Sequence, residues 1–168
     1  MNTENIRKAV EESAKLWGYS LQLYALRSKR NWGVGDFTDL KNFAKMCKKT
    51  GADVIGLNPL NVLFHDFPEN ASPYSSISRL FLNPIYIDVE KVVGFDAKMK
   101  AKYKKEIAEA KQGETIDYTK VYGLKAKVLA ELFEKIDTHK KYVKEFETFK
   151  NVKVINKKKI DENHPVIE

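Results

Sequence analysis

Few residues of this chain are placed where they could do chemistry. Cys47 is the one thiol, but it falls on the apolar face of a helical stretch with no His at a recognisable spacing, so it reads as a core residue and not a nucleophile. With one cysteine there is no internal disulfide. His65 has no metal-ligating partner at a suitable spacing, which makes it a loop histidine, and neither a metal nor a cofactor is expected. The more suggestive stretch runs from Asn58-Pro59 to Asn83-Pro84. It contains a long connection, Asn61 to Asn83, with His65, Pro68, Ser72, Pro73 and Tyr74. A connection this long is usually functional or disordered, and its aromatic content argues against disorder.

The elements that must position this stretch follow from periodicity. Gly18 to Leu26 alternates Tyr19, Leu21, Leu23 and Ala25 with Ser20, Gln22 and Tyr24, which predicts a strand. The loop RSKRNWGVG follows, with Gly33 and Gly35 for a tight backbone path. Asp36 to Thr50 predicts a helix. Asp36 can cap it, Asp39 suits the helix dipole in the first turn, and Leu40, Phe43, Ala44 and Cys47 line one face before the stop at Gly51. Asp53 to Leu60 is a nearly continuous apolar run, as in a strand covered on both faces. Strand, helix and buried strand make a βαβ unit and imply a larger α/β architecture. Phe81 to Val89 could be a short extended piece, kept from a central position by Pro84.

Helices are predicted at Thr3–Leu16, at Lys98–Lys111, at Tyr118–Ile136 capped by Asp117, and around Lys140–Lys150. The third carries a broad stripe of Val121, Leu124, Val128, Leu129, Leu132, Phe133 and Ile136. This divides the chain into an N-terminal helix (1–16), a βαβ unit with its loop (17–95), a helical segment (96–150) and a lysine-rich tail (151–168).

Composition narrows the class. With 43% hydrophobic and 32% charged residues the chain is of ordinary globular type. No apolar run is long enough to span a bilayer, and the charged start lacks the apolar region of a secretory signal. These features point to the cytoplasm. The net charge of +7 is uneven: residues 1–90 hold 11 Lys/Arg against 10 Asp/Glu, residues 91–168 hold 19 against 13. A basic half could bind nucleic acid. Its lysines alternate with glutamates at helical spacing and no RNA-binding or zinc motif accompanies them, which favours a solvated helical face.

Four segments in order resemble the 4-α-glucanotransferases known as amylomaltases or disproportionating enzymes: Leu21–Leu40, Gly51–Phe64, Ala71–Glu90 and Ile116–Leu129. The run Ser72-Pro73-Tyr74-Ser75 followed by Asn83-Pro84 is the most specific part, and the likeness extends from about Trp17 to Lys150. The resemblance implies an α/β fold that is an incomplete (β/α)8 (TIM) barrel: its first two strands plus a helical insertion between strands two and three. It also implies that Asn31–Gly35 and Asn58–Asn83 lie on the catalytic face, at the C-terminal ends of the strands, with Gln22 pointing into the barrel and needing a hydrogen-bond partner there.

The implied chemistry is retaining transfer of α-1,4-glucan segments, with a carboxylate nucleophile and a second carboxyl as acid/base. None of the Asp or Glu residues here matches those motifs, so no catalytic residue is assigned, and the chain alone is expected to be inactive. Substrate contact is what the resemblance carries over. Tyr74 matches a tyrosine that stacks on the sugar ring next to the scissile bond, and a phenol offers both an apolar face and a hydroxyl. Ser72 matches a neighbouring polar contact, and Asn58 and Asn83 would shape the pocket floor. Alternatively, Tyr74 packs under the loop and Ser72 only makes a turn with Pro73. The expected partner is an α-1,4-glucan or maltodextrin, with no nucleic acid and no membrane, and a downstream chain could supply the rest of the barrel. The competing classes are a carbohydrate-binding or assembly fragment and a basic nucleic-acid-binding protein. Two strands cannot close a barrel, so Leu21, Leu23, Val54, Ile55 and Leu57 would be left uncovered and the isolated chain marginal, molten or self-associated.

Overall fold

The computed structural model describes residues 15–136. The predicted helix around 140–150 and the tail lie outside them, as does most of the predicted Thr3–Leu16 helix; its last residues, Lys15 and Leu16, lie in irregular backbone.

Strand β1 (Gly18–Leu21) pairs in parallel with β2 (Val54–Leu57), with Gly18 opposite Val54 and Leu21 opposite Leu57. Helix α1 (Phe37–Lys49) connects them, so the predicted βαβ unit forms. Asp36 caps α1 by accepting from the Thr38 and Asp39 amides, while the Asp39 carboxylate accepts from the Asp36 amide. This reciprocal cap satisfies amides that a bare helix end would leave open. Cys47 is buried on the inner face of α1, as its spacing predicts.

Both strands are shorter than predicted. The first ends at Leu21, and Leu23–Ala25 turns into a 3-10 helix. The cause is a side chain: Asn58 Oδ1 accepts from the Leu23 amide at 2.7 Å, taking the donor that a ladder partner would need. The second ends at Leu57, because Asn58 has turned its amide to that task and Pro59 has no N–H to offer. Nor is β2 covered on both faces: Val54 is exposed and Ile55 to Leu57 are half-buried. Among the described residues the parallel sheet has two strands, so its outer edges are unpaired.

The long connection holds more regular structure than predicted. β3 (Asn61–Val62) pairs antiparallel with β4 (Ser78–Leu82) and closes the base of the loop. Beyond Leu82 the predicted extended piece tightens into 3-10 turns at Pro84–Tyr86 and Val89–Lys91. Asn83 starts the first by accepting from the Ile85 amide, with Pro84 pre-set for a turn. The predicted Lys98–Lys111 helix breaks at the buried Tyr103 into α2 (Ala97–Lys102) and α3 (Lys104–Ala110). Helix α4 (Tyr118–Ile136) has its predicted bounds, with Asp117 accepting from the Lys120 amide.

The core does not lie under the sheet. Leu23, Trp32 and Val34 pack with Ile85, Tyr86 and Val89 against Met99, Tyr103, Val121, Leu124, Val128 and Leu132. The loop after β1, the strap 84–91 and helices α2–α4 therefore share one apolar cluster. This corrects the expectation for Leu23, which is fully buried. The glycines of the RSKRNWGVG loop serve the close packing. Gly33 has φ of 91°, and a Cβ there would stand 2.1 Å from the Ala110 carbonyl oxygen. Gly35 has ordinary φ, but its Cβ would stand 2.0 Å from the Leu23 carbonyl oxygen. Gly33→Ala therefore combines left-handed strain with a backbone clash, and should lower stability by about 2 kcal/mol or more in denaturant titrations. Gly51→Ala meets no neighbour within 4 Å and should cost less despite its φ of 81°.

Candidate functional site

An open cleft of about 420 Å³ lies where β1 and β2 end, lined by Ser20, Leu21, Gln22, Ala25, Leu57, Asn58 and Tyr74. Its floor is set by the two parallel strands in register, which bring Leu21 and Leu57 side by side. Tyr74 reaches it from the loop tip. The tip is a turn closed by the Ser75 amide donating to the Ser72 carbonyl at 3.1 Å, with Pro73 buried beneath. Tyr74 is 74% exposed, which leaves its ring face open instead of packed under the loop.

The four residues singled out from the sequence separate into different settings. Tyr74 and Asn58 share the cleft. Asn58 is buried and committed: its oxygen holds the Leu23 amide, while its Nδ2 donates to the Pro59 carbonyl at 2.7 Å and the Tyr86 hydroxyl at 3.1 Å. It fixes the cleft floor from below. Asn83 is also buried, but lines a smaller gap with Tyr24, His65 and Tyr118, and its oxygen is used by the Ile85 amide. Ser72 is exposed on the turn, one buried proline away from Tyr74. Gln22 lines the cleft and accepts from the Tyr24 hydroxyl, which gives it the partner its polarity requires.

A charge cluster lies outside the cleft lining. Arg30 pairs with Asp36, with Asp39 at 2.9 Å and with Asp88 at 3.0 Å. Burial works against the Arg30 charge, but bonds to Asp36 and Asp39 overcome it and raise its pKa above the usual arginine value. Burial likewise opposes ionisation of Asp39. Asn31, Ser28 and Arg30 outweigh it, and the carboxyl is held below its ordinary pKa. Asn31 Nδ2 donates to Asp39 at 2.8 Å and to the Leu26 carbonyl at 3.0 Å.

Lys125 completes this group from α4. It is 2% exposed, and its Nζ donates to the carbonyls of Ile85 at 2.5 Å and Ile87 at 3.0 Å. Burial depresses its pKa to about 8, with partial compensation from Asp36 and Asp88. Sequence reading missed Lys125, although the signal is present: it sits inside the apolar stripe Val121, Leu124, Val128, where a surface lysine would not fall. Arg30 gives no comparable signal, because Asp36 and Asp39 read as the start of a helix and Asp88 is distant in the chain.

Metal-ligating clusters of three or more His, Cys, Asp or Glu are absent among the described residues. No carboxylate lines the cleft. No described helix is long and apolar enough to cross a membrane.

Lys125 sets a pH dependence. Its folded pKa of about 8 lies below the ordinary 10.5, so between those values the unfolded chain binds more protons and stability rises with pH. The rise should show between about pH 8 and 10, before tyrosine ionisation opposes it. Lys125→Met should flatten that limb in denaturation midpoints taken at several pH values. An unchanged slope would place the lysine in water. On the acid side, Asp39 and Glu90 are both held low, so their contribution should be lost as pH falls below about 4.

A family model for 4-alpha-glucanotransferase matches residues 21–158. The 4-alpha-glucanotransferase of Haemophilus influenzae is 39% identical over 132 residues, covering 74% of this chain and 19% of that protein. That of Chlamydia pneumoniae is 34% identical over 119 residues, covering 70% and 22%. Among solved structures, the amylomaltase of Corynebacterium glutamicum superposes with a TM-score of 0.63 at 30% identity, over 76% of this chain and 19% of that one. The chain thus spans about a fifth of the length of the relatives it matches. With the family match running from Leu21, at the end of β1, through the Tyr74 loop and α4, the chain belongs to the 4-alpha-glucanotransferase family.

Proposed function

We propose that this chain forms the substrate-side wall of a glucanotransferase that moves α-1,4-glucan segments between maltodextrin chains. In this reading β1 and β2 are the first two strands of a (β/α)8 barrel, and α2–α4 belong to its helical insertion. The observation that carries it is Tyr74, an open aromatic ring over a cleft at the C-terminal ends of two parallel strands. That is the end of a barrel where substrates bind. A phenol there can lay its face on sugar C–H groups and its hydroxyl against their oxygens. Ser72 flanks it, while Asn58 and Asn83 keep the backbone around it in place.

Retaining glycosyl transfer requires two carboxyl groups about 5–5.5 Å apart on either side of the scissile bond. The cleft has none, and Asp36, Asp39 and Asp88 are drawn to Arg30 outside its lining. These residues accordingly bind and orient glucan without breaking it. A cytoplasmic setting agrees with the single buried thiol.

Nucleic-acid binding has less support, because the basic helices spend much of their charge internally. Lys100 pairs with Glu90, Lys102 with Glu131, Lys127 with Glu106 and Lys120 with Asp117. The expected outcome is that the purified chain binds maltoheptaose but produces no glucose from maltotriose. Tyr74→Ala should weaken binding about tenfold in calorimetry, equivalent to ~1.4 kcal/mol. Unchanged affinity in that variant would remove Tyr74 from the site, and glucose release by the chain alone would refute the assignment of roles.

A further inference from the structure

One face of α4 touches the loop that carries Ser72 and Tyr74 at two positions, and the strap that follows the loop at a third. Near its N-terminus, the Thr119 amide and hydroxyl both donate to Glu69 Oε1, at 3.1 Å and 2.6 Å. Three residues on, the Tyr122 ring lies against the His65 ring with centroids 4.8 Å apart. Three residues further, Lys125 holds the Ile85 and Ile87 carbonyls of the strap that follows the loop. A spacing of three keeps all of them on neighbouring parts of one helix face. The seam between loop and helix is tight, with only about 20 Å³ of room among His65, Ala71, Tyr118 and Tyr122.

The hairpin of β3 and β4 fixes only the base of the loop, at Val62 and Ser78. Tyr74 stands well beyond that base. Glu69, three residues before Ser72, makes the side-chain hydrogen bonds to α4 that lie nearest the tip among the described residues. Its carboxylate also sits at the end of the helix whose dipole favours a negative charge.

We infer that Glu69 is a positioning residue: by latching onto Thr119 it holds the loop tip in the conformation that presents Tyr74 to the cleft, so that the helical segment sets glucan affinity without touching glucan. The inference rests on the reading that the Tyr74 cleft binds glucan, and it is separable from that reading by experiment. Glu69 is exposed, so its replacement should leave the core intact.

The test is amide hydrogen exchange on the whole chain, with maltoheptaose titration in parallel. The Asn70 and Ser75 amides, which donate within the loop, are the reporters, and the α4 amides of Val128 and Leu132 are the reference. Glu69→Ala should speed exchange at Asn70 and Ser75 about tenfold with the reference unchanged, and weaken maltoheptaose binding several-fold. Glu69→Gln keeps an oxygen acceptor and should retain most of the protection. Thr119→Val, which removes the hydroxyl donor, should move in the same direction as Glu69→Ala. Tyr74→Ala should lose binding while leaving loop exchange as it was. Loop exchange that responds to Glu69→Ala in a chain with no affinity for maltoheptaose would sustain the latch and refute the glucan reading. Asn70 and Ser75 amides equally protected in Glu69→Ala and the parent, or unprotected in the parent, would overturn the latch.

Discussion

The fold is organised around one guanidinium among three carboxylates. Arg30 lies in the loop after β1, Asp36 and Asp39 at the start of α1, and Asp88 on the strap before α2. A single side chain thus ties together three segments that no shared strand or helix joins among the described residues. Arginine suits this task because its planar fork can serve several oxygens at once and stays charged when partly buried. The carboxylates need it in turn, since an uncompensated buried charge costs about 3–5 kcal/mol. The same aspartates give α1 its cap, so the electrostatics of the loop and the start of the helix are one interaction.

From this cluster the structure passes to the cleft by way of amides. Lys125 fixes the carbonyls of the strap, the strap places Tyr86, and Tyr86 meets Asn58. Asn58 then ends both parallel strands, by taking the Leu23 amide and by standing before Pro59. The result is a cleft whose floor is held by hydrogen bonds and whose one aromatic, Tyr74, stands on a turn above it. Burial of the Tyr86 phenol raises its pKa, against the opposing effect of the hydrogen bond that its oxygen accepts from Asn58.

Local signals in the sequence were read well and long-range ones were not. The α1 and α4 helices are legible because caps, stripes and stops agree at each end, and the βαβ order follows from them. Alternation predicts a first strand through to Leu26, but alternation cannot register that a distant asparagine takes the Leu23 amide. The apolar run at 53–60 resembled a strand buried on both faces, yet burial depends on neighbours the run does not encode. In the candidate site, the openness of Tyr74 was one of two readings left by the sequence. The commitment of Asn58 and Asn83 to backbone partners was not visible, because either amide could equally have faced a ligand.

Residue-resolved NMR of the chain with added maltoheptaose tests the central claim most directly, because it locates the sugar without depending on turnover. Amide shifts confined to residues 20–25, 57–58 and 72–75 would place glucan in the Tyr74 cleft, as the account predicts. Shifts centred on the lysine-rich faces of α2–α4, or at the opposite end of the sheet around Gly18 and Val54, would contradict it.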